Sequence, residues 1–118
     1  MDVSVISKHP LTDEESQHLA VHFPEPELRY LPLQLRRMCE TLDDIHEGIG
    51  DTTQRATVNA FLKELHTAVQ DHNTPILLIV GRIPFVATVL GYFQRSGARQ
   101  QIAVICHSPL GILRTNAY

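Results

Sequence analysis

The sequence has few cysteines, no long apolar segment and no marked excess of charge of either sign. Cys39 and Cys106 are too few and too far apart for a disulfide framework, so we expect a reducing, cytoplasmic environment. No apolar stretch approaches the roughly 20 residues that a membrane span requires. Asp2 and the strand predicted directly after it argue against a signal peptide. We therefore expect neither a secreted, disulfide-rich domain nor a membrane protein.

The charge balance argues against duplex nucleic acid as a partner. The formal net charge is −3 with histidines neutral, whereas non-specific duplex binding relies on many contacts from lysine and arginine to phosphates. A small anion in a local positive pocket is still compatible with this charge, because the field near a cleft does not have to follow the net charge. With 43% hydrophobic and 19% charged residues and no repeat or linker, the composition predicts one globular domain over residues 1–118.

Four apolar segments alternate with helical patterns along the chain. The predicted strands cover residues 2–7, 27–31, 74–81 and 101–106. The predicted helices cover residues 12–22, 33–47, 53–71 and 84–95, with a loop at 48–51 and a tail at 111–118 of undecided structure. Thr12 followed by Glu15 fits a capping box at the start of the first helix. This order predicts a small Rossmann-like α/β fold, with a parallel sheet of about four strands and helices on both faces.

The helix predicted at 84–95 is apolar over most of its circumference, which is unusual for a helix on the surface of a small domain. Ala87 and Gly91 are four residues apart and would let another backbone approach closely. Two explanations remain open. The helix contacts a second copy of the chain in a two-fold dimer, or it simply packs on its own sheet.

The apolar runs end in turns that contain proline, and these turns hold most of the reactive polar side chains. In an open parallel sheet, ligands bind in the crevice beyond the carboxyl ends of the strands. If the runs are parallel strands, side chains from separate turns converge on one rim of the sheet. The residues predicted to meet there are Ser7, Lys8, His9, Gly81, Arg82, His107 and Ser108.

The residue types at this rim suit the recognition of phosphate. Lys8 supplies a compact positive charge, and the adjacent His9 supplies an imidazole that can accept or donate a proton. Arg82 precedes a helix N-terminus, where unpaired N–H groups and the helix dipole favour an anion, and its guanidinium can form two hydrogen bonds to phosphate oxygens. Taken singly, each residue is also explained as a solvated surface charge or a hydrogen-bonded turn residue. Together at one rim they favour a functional site.

Metal and thiol chemistry have weaker support. His18 and His22 have the four-residue spacing that can hold zinc on a helix, but no third ligand is evident, so we expect no metal ion and no cofactor. Cys106 and His107 are adjacent in a predicted strand, where neighbouring side chains point to opposite faces. We therefore do not expect them to form a thiol–imidazole pair.

Three features of the chain together resemble a known family. They are a strand that leads into Ser7-Lys8-His9-Pro10-Leu11-Thr12, an apolar strand at 75–80, and an alanine-containing helix that ends near Gly97. These features are similar to those of small CRISPR-associated proteins, namely the fifteenth Csx-type family and the related fourth class of CRISPR ring nucleases. The chain departs from the family in having Lys8 before the His-Pro pair, and Gly81-Arg82-Ile83-Pro84 where a shorter turn is expected.

The resemblance implies a homodimer with a Rossmann-like fold that binds cyclic oligoadenylates, the second messengers of type III CRISPR immunity. Some relatives sequester the ring, and others cleave it to end the response. The residues of this chain that match the family are Ser7, His9 and Pro10. Under this resemblance we expect a ring nuclease that needs no metal and leaves linear products ending in 2′,3′-cyclic phosphate.

An RNA-type phosphodiester carries its own nucleophile, the ribose 2′-OH, so its cleavage needs alignment and charge stabilisation rather than a protein nucleophile. We expect His9 and Lys8 to be catalytic, with His9 as general acid or base, and we expect Arg82 to clamp phosphate together with Lys8. The other substrate-binding residues expected are Ser7, Gly81, His107 and Ser108. Two alternatives remain: a non-catalytic sponge or sensor for the same ring, and a scaffolding domain whose strand-end residues only terminate the strands.

Overall fold

The computed structural model describes residues 2–43, 52–108 and 111–117. Its elements are β1 (Asp2–Ile6), α1 (Asp13–His22), β2 (Glu27–Tyr30), α2 (Leu33–Asp43), α3 (Thr52–His72), β3 (Ile76–Arg82), α4 (Ile83–Arg95), β4 (Gln101–Ser108) and β5 (Gly111–Ala117). The loop predicted at 48–51 and the last residues of the helix predicted at 33–47 lie outside the described residues. None of the helices in the described ranges is long and apolar enough to cross a membrane.

The five strands form one sheet in the order β2-β1-β3-β4-β5. The first four are parallel to one another, which confirms the predicted α/β class with a parallel four-stranded sheet and is compatible with a small Rossmann-like fold. β5 is an addition, because it runs antiparallel to β4 along the edge of the sheet. The sequence does not predict this strand, since an edge strand lacks the continuous apolar run of a strand buried on both faces.

Two strands extend further than predicted, and the extensions carry residues of the rim. β3 ends at Arg82 rather than at residue 81, and β4 ends at Ser108 rather than at residue 106. Arg82 is consequently paired with His107 in the register of the two strands. Both residues are held by the sheet ladder, not by a turn as the sequence analysis assumed.

The helices form one layer on each face of the sheet. α2, α3 and α4 cover one face, where Leu77 and Ile79 of β3 are buried, and α1 covers the other face, where Leu78 and Val80 are buried. This alternation follows from the two-residue period of a strand. The helix side chains buried against the first face include Leu35, Val58, Phe61, Leu65, Val89 and Phe93. Leu19 and Phe23 of α1 are buried against the second.

The apolar circumference of α4 is explained by packing within the chain. α4 contacts β3, β4, α2 and α3, and it buries Phe85, Val86, Val89 and Phe93. The exposed side contains Ala87, and the guanidinium of Arg95 lies 3.2 Å from the position that a Cβ on Gly91 would take. The simpler of the two explanations therefore accounts for this helix, and the homodimer stays a prediction.

Candidate functional site

A cavity of about 230 Å³ opens at the carboxyl end of the sheet. Its lining residues are Ser7, Lys8, His9, Val80, Gly81, Arg82 and His107. Six of the seven predicted rim residues therefore lie around one cavity, and the side chain of the seventh, Ser108, lies outside the described part of the chain. The cavity lies between β1 and β3, where the order of the strands reverses. This is the position at which open α/β sheets bind their ligands.

The turn between β1 and α1 is held by hydrogen bonds of its own residues. The hydroxyl of Ser7 donates to the carbonyl of His9, and the Ser7 side chain is buried. His9 in turn uses its ring, because Nδ1 lies 2.7 Å from the carbonyl oxygen of Pro10. The structure thus places Ser7 in the lining as a group that tightens the turn, since its proton is already donated within the chain.

The hydrogen bond to Pro10 determines which nitrogen of His9 is available. A carbonyl oxygen can only accept, so Nδ1 carries a proton and the lone pair of the neutral ring is on Nε2. The side chain of His9 is 43% exposed. Nε2 is therefore the atom through which His9 can exchange a proton with a ligand in the cavity.

Glu15 is the functional residue that the sequence analysis missed. Its side chain is 0% exposed, and Oε1 accepts a hydrogen bond of 2.8 Å from the backbone N–H of Thr12. The backbone N–H of Glu15 donates to Thr12 Oγ1, which completes the predicted capping box. The second carboxylate oxygen, Oε2, accepts a hydrogen bond of 2.7 Å from Nε2 of His107. One buried carboxylate thus joins the start of α1 to the end of β4.

The contact between Glu15 and His107 follows from two periodicities. Glu15 lies one helical turn before Leu19, and both are buried on the side of α1 that faces the sheet. His107 follows Ile105 by two residues in β4, so both face the layer of α1. The register with β5 shifts between Cys106 and His107, but the extra residue lies in β5, so the alternation of side chains along β4 is kept. The sequence did not predict this contact, because the predicted strand ends at residue 106, one position before His107.

The pKa of Glu15 is lowered, although the carboxyl is buried. Burial has the largest effect and raises the pKa. The hydrogen bonds from Thr12 and His107, together with the attraction of the His9 and His107 rings in their protonated form, outweigh burial and hold the pKa below its ordinary value. His9 contributes because its Nδ1 lies 4.0 Å from Oε1 of Glu15. The site therefore contains an ionised carboxylate at neutral pH, close to two imidazole rings.

Two permanent positive charges complete the cavity. Lys8 and Arg82 both line it, and each is partly exposed. Arg82 also occupies the N-cap position of α4, although its side chain does not cap the helix. Because β3 leads directly into α4, the N-terminus of α4 lies at the same rim, with the positive end of its dipole and the N–H groups of its first turn other than that of Pro84, which has none. This lining suits an anion with several oxygen atoms.

Comparisons with known proteins identify no relative of this chain. A scan against protein-family models, a search of curated proteins and a search of solved structures each found no match. Within the described ranges, no three His, Cys, Asp or Glu side chains are grouped so as to hold a metal ion.

Proposed function

We propose that this protein binds a cyclic oligoadenylate at the cavity between β1 and β3 and cleaves it as a metal-independent, cytoplasmic ring nuclease. The observation that carries the proposal is the composition of the cavity. Lys8 and Arg82 provide positive charge for a phosphodiester, and His9 and His107 provide imidazole rings that can transfer protons. The resemblance of the turn at 7–12 to CRISPR ring nucleases supports the choice of substrate.

The lining favours a substrate that brings its own nucleophile. The hydroxyl of Ser7 is buried and donates within the turn, so it is poorly placed to attack a bound phosphate. An oligoadenylate linked 3′ to 5′ carries a ribose 2′-OH beside each phosphorus. The protein then has to align that oxygen, accept its proton, and stabilise the charge that develops on the phosphorane.

The proposed reaction breaks one P–O bond and forms another. A general base takes the proton of the 2′-OH, O2′ bonds to phosphorus, the P–O5′ bond breaks, and a general acid returns a proton to O5′. The products are a 2′,3′-cyclic phosphate at one end of the opened chain and a 5′-OH at the other. His9, with Nε2 available, is one of the proton-transfer groups, and Lys8 and Arg82 hold the phosphate oxygens.

The size of the cavity supports a site shared between two copies of the chain. Its volume is about 230 Å³, below the roughly 300–1,000 Å³ that is typical of pockets that enclose a drug-sized ligand. One cavity therefore suits a single phosphate with part of its nucleotide, and a whole ring needs more than one such set of contacts. A homodimer would supply two sets to a ligand whose units repeat.

Incubation with ring substrates tests the proposal directly. Purified protein is mixed with cyclic tri-, tetra- and hexa-adenylate in excess EDTA, and the products are separated by chromatography and mass spectrometry. We expect linear adenylates that end in 2′,3′-cyclic phosphate. An intact ring that co-elutes with the protein would instead support the sponge or sensor, and a ring that is neither bound nor cleaved would refute the proposed function.

A further inference from the structure

Glu15 caps α1 and also contacts His107, and helix capping does not require this second contact. We propose that His107 is a second catalytic histidine that works together with His9. We further propose that Glu15 is a positioning residue that determines which ring nitrogen of His107 meets the substrate. This inference rests on the proposed function, since it assigns the second proton transfer of that reaction.

The hydrogen bond to Glu15 fixes the proton on one nitrogen of His107. A carboxylate only accepts, and Oε2 lies 2.7 Å from Nε2, so Nε2 carries a proton. In the neutral ring the lone pair is then on Nδ1. The His107 side chain is 31% exposed and lines the cavity. Because Nε2 is directed at a buried carboxylate, Nδ1 is the nitrogen that a ligand can reach.

The two histidines of the cavity are held in opposite tautomers. His9 donates from Nδ1 to the carbonyl of Pro10 and leaves Nε2 available, whereas His107 donates from Nε2 and leaves Nδ1 available. Each ring is thus oriented by an acceptor within the chain. A proton-transferring histidine requires this arrangement. One ring nitrogen is held by an acceptor of the protein, and the other is available to the substrate.

Two histidines with free nitrogens satisfy the proton balance of the reaction. One ring, neutral at the start, takes the proton of the 2′-OH as O2′ bonds to phosphorus. The other ring, protonated at the start, gives its proton to O5′ as the P–O5′ bond breaks. The pair holds the same number of protons before and after the step, and exchange with water restores the starting forms. The anionic Glu15 lies near both rings, 2.7 Å from one and 4.0 Å from the other.

Replacement of Glu15 by glutamine separates this role from helix capping. Glutamine is accepted at the third helical position of a capping box, so Glu15→Gln can still accept the Thr12 N–H through its amide oxygen. The amide nitrogen then takes the place of Oε2, opposite Nε2 of His107. An amide nitrogen only donates, so Nε2 of His107 has to accept. The substitution therefore reverses the tautomer of His107 and moves its lone pair away from the cavity.

The first measurement is independent of turnover. Nitrogen-15 NMR of the histidine side chains, recorded at a pH where the rings are neutral, reports which nitrogen is protonated. We expect the Nε2–H form for His107 in the wild type and the Nδ1–H form in Glu15→Gln. Glu14→Gln is the matched control, because it removes the same charge from an exposed neighbour in the first turn of α1 and leaves the tautomer of His107 as in the wild type.

The second measurement is single-turnover cleavage of the ring that the wild type prefers. His107→Gln should slow cleavage by roughly 10²-fold or more, since a positioned proton-transfer group contributes about 10²–10⁴-fold. Glu15→Gln should slow it by at least about tenfold, while affinity for the ring changes little, because only the reacting nitrogen is displaced. The double variant of His9 and His107 should be about as slow as the slower single variant, because the two act as a unit.

The outcomes distinguish this inference from the proposed function. If the wild type cleaves no ring, the proposed function fails, whatever the tautomers are. If the wild type cleaves and His107→Gln cleaves equally fast, the function stands and this inference is overturned. The same holds if Glu15→Gln reverses the tautomer without slowing cleavage. Circular dichroism confirms that each variant is folded, and His107→Gln tests the inference even if Glu15→Gln does not fold.

Discussion

Each end of the sheet holds a histidine hydrogen-bonded to a buried polar side chain, which is a serine hydroxyl at the amino end and a glutamate carboxylate at the carboxyl end. At the amino end, Ser4 Oγ lies 3.0 Å from Nδ1 of His72 and 2.6 Å from Oγ1 of Thr74. Thr74 donates to the carbonyl of Ile76, so Ser4 donates to Thr74 and His72 donates to Ser4. Every proton in this chain of hydrogen bonds has an acceptor, and its hydroxyl groups are uncharged.

At the carboxyl end the corresponding partner is a carboxylate. His107 donates to Glu15, which is ionised and also accepts from Thr12. The partner at the amino end is a neutral serine hydroxyl. A neutral acceptor only orients the histidine ring. A carboxylate orients the ring and also stabilises the positive charge that the ring gains when it accepts a proton.

The larger of the two cavities lies at the amino end of the sheet, although the charged side chains are concentrated at the carboxyl end. The amino-end cavity has a volume of about 540 Å³, more than twice that of the carboxyl-end cavity, and Arg99 and His66 are its charged or titratable lining groups. The smaller cavity is lined by two permanent cations and two histidines. Volume alone would select the amino end of the sheet. Strand topology and the chemistry of the lining both select the carboxyl end.

The largest effect is expected from the loss of His9. His9→Gln should lower the single-turnover rate of ring cleavage by about 10²–10⁴-fold, because it removes a proton-transfer group. His22→Gln, which alters an exposed histidine at the end of α1, should cleave like the wild type. Rapid-quench assays on both variants make the comparison, and full cleavage by His9→Gln would remove His9 from the mechanism.

The next largest effect concerns binding and contrasts an arginine from each cavity. Arg82→Gln should weaken affinity for the ring by roughly ten- to a hundredfold, since hydrogen bonds to charged groups are worth about 1.5–3 kcal/mol. Arg99→Gln, which alters the exposed arginine of the amino-end cavity, should bind like the wild type. Isothermal titration calorimetry with a slowly cleaved variant measures both. A larger loss with Arg99→Gln would move the site to the other end of the sheet.

A smaller effect, on stability alone, is expected at the amino end. Ser4→Ala leaves His72 and Thr74 without their shared partner in a buried region, which should lower the free energy of unfolding by about 1–3 kcal/mol. Urea denaturation measures the loss, and the rate of ring cleavage should be unchanged where the variant is folded. A selective loss of activity in Ser4→Ala would contradict the structural role assigned to this network.

The smallest effect is a pH dependence of stability from Glu15. Its folded-state pKa is lowered, so its ionised form stabilises the fold above the unfolded-state pKa of about 4.3, and this contribution is lost as the pH falls through the folded-state value. The difference in unfolding free energy between wild type and Glu15→Gln should therefore shrink as the pH is lowered from 7 towards 3. Glu14→Gln provides the control, and a difference that stays constant over this range would contradict the assignment.

The sequence predicted the fold well because its strongest signals are local. The apolar run at 74–81 predicted the central strand to within two residues at its start, and Thr12 with Glu15 predicted the capping box that begins α1. The sequence does not predict the edge strand β5, because the structure of this segment does not follow from local signals. Its structure depends on pairing with β4, and nothing in its own residues has the pattern of a strand buried on both faces.

The site was predicted in part. Topology alone brings together the ends of β1, β3 and β4, so six of the predicted residues do line one cavity. The role of Glu15 could not be predicted, because its capping box was sufficient to explain it. Glu15 and His107 are 92 positions apart in the sequence. Their contact depends on where β4 ends and on which face of its helix or strand each side chain occupies.

Cleavage of cyclic tri-, tetra- and hexa-adenylate in excess EDTA by the wild type, His9→Gln and Arg99→Gln decides whether the carboxyl end of the sheet is catalytic. We expect the wild type and Arg99→Gln to convert at least one ring to linear products that end in 2′,3′-cyclic phosphate, and His9→Gln to leave that ring almost intact. Rings that all remain intact with the wild type, or equal cleavage by all three proteins, would contradict a catalytic site at the carboxyl end of the sheet.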